Sequence, residues 1–409
     1  MMRRTMTTRH LSNAANSAQK NRKKVDCAVY GCGISACGAL AIPKLMKRNG
    51  DGEVERTEVN YPKRIPFFNT HGIKLVSSGF GFSLFASQSK LYGAGLNNKF
   101  QIGGEVIGGQ FQEYYISAKK INIPPGDILE ISSGRAHSLI RTSSGVYAIG
   151  DNNFGQCGRN PEESEVSVGS PDKPLLPLNV PTDKPIVSIH CSLDTSFLVD
   201  SDGNVFSFGL NEDGQCGNGE YGVQWTPRKV TGDIEGVKVE KISGSSDTLL
   251  AVGEKEVFIW GQTEFGQTAG TSDEIQLSVS RRLNLSSSIG PIDSAASTST
   301  SIIVRNTRGE VFVWGVGVLG MGPDADRLKR PTQMDQPLFD GKEITKIYAG
   351  NSAMAAINSS DRLFVWGENR FASLGLGHSK RQLFPYQVFL PGDVKTAALG
   401  PDHSLFLMH

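Results

Sequence analysis

Seven times along the chain a tetrapeptide of β-branched, aromatic or small residues runs into a glycine and then into a polar turn. The copies are VYGCGISACGAL (29–40), LYGAGLNNKFQIG (91–103), VYAIGDNNFGQCG (146–158), VFSFGLNEDGQCG (205–217), VFIWGQTEFGQTA (257–269), VFVWGVGVLGMG (311–322) and LFVWGENRFASLGLG (363–377). Their glycines, Gly33, Gly95, Gly150, Gly209, Gly261, Gly315 and Gly367, stand 52 to 62 residues apart. A period of that length means stacked supersecondary units. Each unit has a second apolar run upstream, reading small residue, two variable residues, polar residue, strand and turn. It appears as GRAHSLIRTSSG (134–145), CSLDTSFLVDSDG (191–203), GSSDTLLAVGEKE (244–256) and GNSAMAAINSSDR (351–362), with GFGFSLFASQSK (79–90) and STSTSIIVRNTRG (297–309) as looser copies. Turn pairs such as Asp202-Gly203 and Arg308-Gly309 separate the two runs, which predicts a hairpin in each unit. β-branched and aromatic residues dominate both runs, so the fold class is all-β.

The ends of the pattern distinguish an open array from a closed one. The first unit has a tetrapeptide and no upstream partner, whereas the last run, GPDHSLFLMH (400–409), has no tetrapeptide after it. The two orphans complete each other. Joined, they make one blade from both termini, closing the ring and removing the sheet edges of an open array. The prediction is a seven-bladed β-propeller of four-stranded blades over residues 25–409, with the longest inter-blade loops at 41–72, 104–128 and 159–186.

Charge adds a second region. Residues 1–24 carry seven Lys or Arg and no acid, leaving 35 basic against 41 acidic residues in the rest, a net −6 for the body. A leader rich in Arg, Ser and Thr and free of acids has the composition of an organellar transit peptide; a disordered basic arm or a nuclear signal has it too. The uncharged stretch CAVYGCGISACGALAI (27–42) could be read as the apolar part of a secretory signal, but it is too short to span a bilayer, holds three glycines and fits the repeat. No other stretch is long and apolar enough for a transmembrane segment.

Several chemistries find no support. GCGISACG (31–38) is neither a phosphate-binding loop nor a G-x-G-x-x-G, because Ala36 takes the last glycine position. The six cysteines lack C-x-x-C spacing; Cys157 and Cys216 fill one slot of two repeats, so they read as small apolar residues and not as zinc ligands or disulfides. His137 and His403 occupy the same offset, and their neighbours Ser138 and Ser404 recur as Ser83 and Ser196 where histidine is absent. The serines thus belong to the repeat, and the histidines are expected to fix the turn through backbone hydrogen bonds rather than to build a hydrolytic triad. No metal, cofactor or bond-making catalytic residue is assigned.

The repeats resemble those of the regulator of chromosome condensation family over nearly all the chain after residue 25. The basic leader, GRAHSL (134–139), NNFGQCGR (152–159), VFVWGVGVLGMGP (311–323) and LFVWGEN (363–369) are similar to the mitochondrial member of that family. The resemblance implies a mitochondrial protein, in the matrix or associated peripherally with the inner membrane. It would be a guanine-nucleotide exchange factor for a dynamin-related GTPase of that membrane, with a role in mitochondrial fusion, or a factor in assembly of the mitochondrial large ribosomal subunit. The alternatives are a non-enzymatic scaffold for ribosomal RNA and assembly factors and a nuclear, chromatin-bound exchange factor. In the nuclear member, acidic and histidine residues implicated in exchange lie in G-x-x-H corners near the central channel. The matching positions here are Asp194, Asp402, His403, Arg135 and His137, with Asp247 as a looser match. For RNA contact, basic residues mixed with Tyr and Phe offer phosphate pairing and base stacking: Lys44, Lys47, Arg48, Lys63 and Arg64, with Arg327, Lys329 and Arg330 as a second cluster. Acids at 51–58 dilute the first group, and a solvated loop is its plainer reading.

Overall fold

Each predicted hairpin forms the middle of a four-stranded antiparallel sheet. In this computed structural model the described residues are 27–48, 54–55, 57–104, 106–107, 110–162, 167–169 and 175–409; the basic leader lies outside them. Numbered from the first complete unit, with strands given from the centre outward, blade 1 is Leu75–Ser78, Phe82–Ala86, Leu91–Leu96 and Tyr114–Ile121. Blade 2 is Ile128–Ser133, His137–Thr142, Gly145–Asp151 and Ser167–Val168, and blade 3 is Ile186–Ser192, Thr195–Asp200, Val205–Gly209 and Gln224–Lys229. Blade 4 is Val239–Ser243, Thr248–Gly253, Glu256–Gln262 and Gln276–Arg282, and blade 5 is Ile292–Ser297, Ser301–Asn306, Val311–Val316 and Arg327–Gln333. Blade 6 is Ile344–Ala349, Ala353–Asn358, Leu363–Gly367 and Gln382–Gln387.

Blade 7 is built from both ends of the chain. Val394–Leu399 and His403–Met408 supply its inner half, Ala28–Ile34 and Glu58–Arg64 its outer half. Ala28 pairs with Met408, Tyr30 with Phe406 and Gly33 with His403, as the complementary orphans require. The inner strands of blades 7 and 1 also touch, so the seven sheets close into a ring.

The apolar core lies between blades. Leu84 and Phe82 of blade 1 pack with Ile140 and Ile149 of blade 2, and Leu139 of blade 2 packs with Leu198 and Phe208 of blade 3. Phe197, Leu250, Trp260, Ile302 and Trp314 carry the layer through blades 3 to 5. Second and third strands are buried on both faces because each faces a neighbouring sheet on either side, which explains runs such as TLLAVG (248–253) with no polar alternation.

Each repeated glycine has a steric reason. Gly150 has φ +111° and Gly209 φ +122°, and a Cβ on either would run into the carbonyl oxygen of the corner opposite, Ala136 or Asp194. The next residue's N–H donates to that same oxygen, Asp151 to Ala136 at 2.9 Å and Leu210 to Asp194 at 3.0 Å. Beyond the glycine a side chain ties the turn: Asn152 Oδ1 accepts from Cys157 N at 3.0 Å, and Asn211 Oδ1 from Cys216 N at 2.8 Å. The cysteines follow from this geometry. Cys157 and Cys216 are buried in the turn, and burial pushes the Cys216 thiol up to about 12, which makes it a packing residue and not a nucleophile.

The three long segments expected as inter-blade loops prove to contain the outer strands of blades 7, 1 and 2, Glu58–Arg64, Tyr114–Ile121 and Ser167–Val168. These lie on the rim, half in water, and lack the apolar alternation of the inner pairs.

Candidate functional site: the corner face

The turn from each inner strand to its second strand forms a corner, and the corners surround one mouth of the central channel. The channel, about 890 Å³, is lined by inner-strand side chains from all seven blades, many of them serine. Its polar groups bridge neighbouring blades: Glu130 accepts from Arg141 Nε at 3.1 Å in its own blade and from Ile189 N at 3.1 Å in the next. His190 Nε2–H donates to Gly244 O at 2.7 Å; burial lowers its pKa to about 4, so the imidazole is neutral. The ladder holds the corners in register.

Pairing with the glycines aligns the corners. Phe82, His137, Thr195, Thr248, Ser301, Ala353 and His403 each stand opposite a repeat glycine. The residue just before is Asp194 in blade 3, Asp247 in blade 4 and Asp402 in blade 7. Only blade 2 places an arginine, Arg135, two residues before its glycine partner.

The five predicted corner residues separate into three local arrangements. Arg135 and Asp194 meet across the boundary of blades 2 and 3, with Nη2 3.1 Å from Oδ2; Asp194 is 2% exposed and Arg135 50%. Burial raises Asp194 to about 6 against the lowering effect of Arg135, and the charges of Asp151 and Asp247 raise it further. Asp247 is raised by burial and then by Asp213, while Gln215 Nε2 donates to its Oδ1 at 3.1 Å. Asp151, Asp194, Asp213 and Asp247 therefore form an acidic arc, with Arg135 and Lys99, 3.8 Å from Asp151, as the cations facing it.

His137 lies in the same corner and is fully buried. Its Nε2–H donates to Ser196 Oγ in blade 3 at 2.9 Å, and Ser196 in turn donates to Gln156 O at 2.8 Å. Burial lowers His137 to about 3. Both corner histidines thus reach a serine hydroxyl of the next blade where backbone partners were expected: the turn is already closed by main-chain bonds such as Gly134 N to His137 O.

On the far side of the ring, Asp402 turns onto its own neighbour. His403 Nδ1 is 2.7 Å from Asp402 Oδ1, and Nε2 is 2.8 Å from Ser78 Oγ and 2.7 Å from Ser83 Oγ, both in blade 1. Ser78, His403 and Asp402 do line up as a hydrolase triad would, an arrangement that nothing in the repeat pattern foreshadows. Ser83 shares the same nitrogen, however, and Gly400 is pressed so closely on Ser78 Oγ that a Cβ there would collide with it. That leaves no space for a substrate carbonyl, and the group acts as a latch between blades 7 and 1.

The basic residues read as RNA contacts are not brought together. Lys44 is exposed in the short turn Pro43–Leu45, and Lys47 and Arg48 form a two-residue strand opposite Glu55 and Val54. Lys63 and Arg64 lie exposed on the outer strand of blade 7, where Arg64 Nε donates to Asn69 Oδ1 at 2.8 Å. Arg327, Lys329 and Arg330 are exposed on the outer strand of blade 5. Blade 6 separates the two groups and presents Phe384 and Tyr386, 45% and 52% exposed. Among the described residues no group of three His, Cys, Asp or Glu has metal-binding geometry.

Sequence reasoning missed Asp151, Asp213 and Lys99. Each flanks a repeat turn as an ordinary polar residue, and only the ring brings them to one arc.

Known proteins share this architecture. A model of the regulator of chromosome condensation (RCC1) repeat matches residues 143–199, 202–252 and 360–407, and a second RCC1-repeat model matches 128–156 and 186–215. The human RCC1-like G exchanging factor-like protein is 33% identical over 404 residues, covering 93% of this chain and 86% of its own; the mouse protein of that name is 34% identical over 405 residues, covering 93% and 87%. The crystal structure of human WBSCR16 superposes with a TM-score of 0.85 at 32% identity, covering 93% of this chain and 98% of that one. Yeast RCC1 (Prp20), in its complex with Kap60, shares the fold, with a TM-score of 0.74 at 17% identity over 93% of this chain and 88% of its own. Closed blades and repeat glycines thus define a propeller of the RCC1-repeat type. The chain belongs to the regulator of chromosome condensation family, together with the RCC1-like G exchanging factor-like proteins.

Proposed function

We propose that the protein is a guanine-nucleotide exchange factor that engages its GTPase through the corner face of blades 2 to 4. The observation that carries this reading is the buried Asp194 carboxylate, held beside an exposed Arg135 in an arc of acids at the channel mouth. Exchange forms no bond: the factor binds the nucleotide-free GTPase better than the loaded one, and that difference speeds release. A fixed negative arc opposes the nucleotide's phosphates and attracts the cation that neutralised them. The names of the human and mouse relatives, and the yeast relative studied for its binding to Gsp1p and histones, support a GTPase partner.

The GTPase we propose is a dynamin-related one of the mitochondrial inner membrane, with the acid-free basic leader directing the chain to that organelle. The test is release of a fluorescent GDP analogue from that purified GTPase on mixing with the propeller. Acceleration that is lost in Asp194→Asn supports the reading; no acceleration at saturating propeller rejects it. Import of the full chain into isolated mitochondria, with loss of import on removing residues 1–24, tests the address separately.

A second reading rests on the rim. Cations on the outer strands of blades 5 and 7 flank exposed Phe384 and Tyr386, chemistry that suits single-stranded RNA. It would make the protein a scaffold for mitochondrial large-subunit ribosomal RNA and assembly factors. Replacing Lys63, Arg64, Arg327, Lys329 and Arg330 by glutamine would weaken such RNA binding and flatten its salt dependence, by roughly 0.7 in log–log slope for each cation that had been neutralising a phosphate. Unchanged affinity would remove this reading.

A further inference from the structure

Three of the buried side-chain atoms that find no hydrogen-bond partner among the described residues gather in one corner: His137 Nδ1, Gln156 Nε2 and Asp194 Oδ2. Two of them are complementary, a donor and an acceptor. The repeat shows how such a pair is satisfied elsewhere. Gln215 stands six residues after Gly209, and its Nε2 donates at 3.1 Å to Asp247, the acid preceding the next blade's glycine partner. Gln156 stands six residues after Gly150, and Asp194 is the acid that precedes the next glycine partner. Gln156 and Asp194 thus occupy the repeat positions of Gln215 and Asp247, yet the bond made by the second pair is not made by the first.

Arg135 explains why. Its guanidinium holds Asp194 Oδ2 at 3.1 Å in a charge contact without hydrogen-bond alignment, and half of its side chain is in water. The amide orientation of Gln156 is set by its Oε1, which accepts from Phe154 N at 2.9 Å and leaves Nε2 as the free end.

We propose that Asp194 has two alternative partners, Arg135 and Gln156, and that Gln156 is the positioning residue that lets Arg135 leave. When an anionic group of a bound partner, a carboxylate or a nucleotide phosphate, takes the guanidinium, Asp194 rotates onto Gln156 Nε2. Its buried charge then stays hydrogen-bonded, and the cost of releasing Arg135 falls. The corner becomes a two-state element in which Arg135 is the detachable arm. This deepens the exchange reading by naming the group the partner removes, but the exchange of partners within the propeller stands apart from it.

The experiment is a double-mutant cycle on the full chain, which needs no GTPase. Arg135→Gln and Gln156→Leu each remove one of the two partners, so each alone lowers the melting temperature modestly, while the double variant loses clearly more than the two losses added. Gln215→Leu, which breaks a bond already made, shows no such synergy with Arg135→Gln. A second readout follows the Asp194 carboxyl by ¹³C NMR, with Arg135, Asp151 and Asp247 as the charges that face it. In Arg135→Gln the Gln156 side-chain amide signal moves and Asp194 titrates lower than in the double variant. An additive cycle, or a Gln156 amide signal indifferent to Arg135, overturns the proposal whether or not the protein exchanges nucleotide. Synergy without any acceleration of GDP release would keep the two-partner corner and reject the exchange reading.

Discussion

His137 and Ser196 meet across the boundary of neighbouring blades, Nε2–H donating at 2.9 Å to Oγ of a residue 59 positions further along the chain. The bond is buried, and the Ser196 hydroxyl in turn donates a hydrogen bond to Gln156 O. Ser196→Ala leaves the imidazole donor bare, so it should lower the unfolding free energy by about 1–3 kcal/mol. Urea unfolding checks the value; a cost near zero would mean that the histidine finds another partner.

Acid should weaken the ring through the same histidine. Its folded pKa, about 3, lies below the ordinary 6.5, so between those values the unfolded chain takes a proton that the folded one refuses. His137's contribution is intact above pH 6.5 and declines by about 1.4 kcal/mol per pH unit as the medium is acidified toward pH 3. Asp194 works the other way. Raised to about 6, it holds a proton in the folded state that the unfolded chain releases, so its stabilisation is present below pH 3.8 and lost as pH rises through 6. Unfolding at a series of pH values should show His137→Gln flattening the acid limb and Asp194→Asn losing less than the parent between pH 4 and 6.

Gly209 is the residue on which the position of Asp194 depends. A side chain there meets Asp194 O and must adopt φ +122°. Gly209→Ala should cost at least ~2 kcal/mol and displace the acidic corner. Gly72 also has a positive φ, +59°, but a Cβ there meets nothing within 4 Å, so the same substitution should carry the backbone strain alone and cost less. Thermal melts of both variants decide the point, and equal losses would contradict the steric account.

The three fully buried indoles should not be equivalent. Trp260 Nε1–H donates to Gln215 O at 2.9 Å and Trp314 Nε1–H to Gln267 O at 2.8 Å, whereas the buried Trp366 Nε1 has no partner among the described residues. Replacing Trp366 with Phe should therefore cost about 1 kcal/mol less than the same change at Trp260 or Trp314. Comparison of the three midpoints in urea tests the ranking.

Second and third strands were legible because they carry the hairpin: VDSDG between Val199 and Gly203 marks a turn, and the apolar residues on either side are continuous. The innermost strands escaped. Ile128 and Ile131, Ile186 and Ile189, and Ile344 and Ile347 repeat at three residues, a helical spacing, because a bulge after the first residue shifts the register. Their other positions mix serines and charges with apolar residues such as Leu129, Val187 and Tyr348, all lining the channel, so neither period nor composition announces a strand. The corner acids were named because their pattern resembles a known family's. The partner of His137 was recoverable in principle, since serine recurs one repeat later as Ser196, but a contact between blades has no local signature. Gln156 has none either; its significance appears only when the turn of one blade is set against the corner of the next.

Blade 7 joins Ala28–Ile34 to His403–Met408, which sets a constraint on the order of assembly. Ala28–Ile34 cannot find its partner until His403–Met408 has been made, and the loop that must close between them carries the six other blades. Blades 1 to 6 can each form from contiguous sequence as they appear; the ring cannot. Until its end arrives the growing chain is an arc with two bare ends, dependent on whatever shields exposed strand edges, and the closing step should be the slow, late event of its folding.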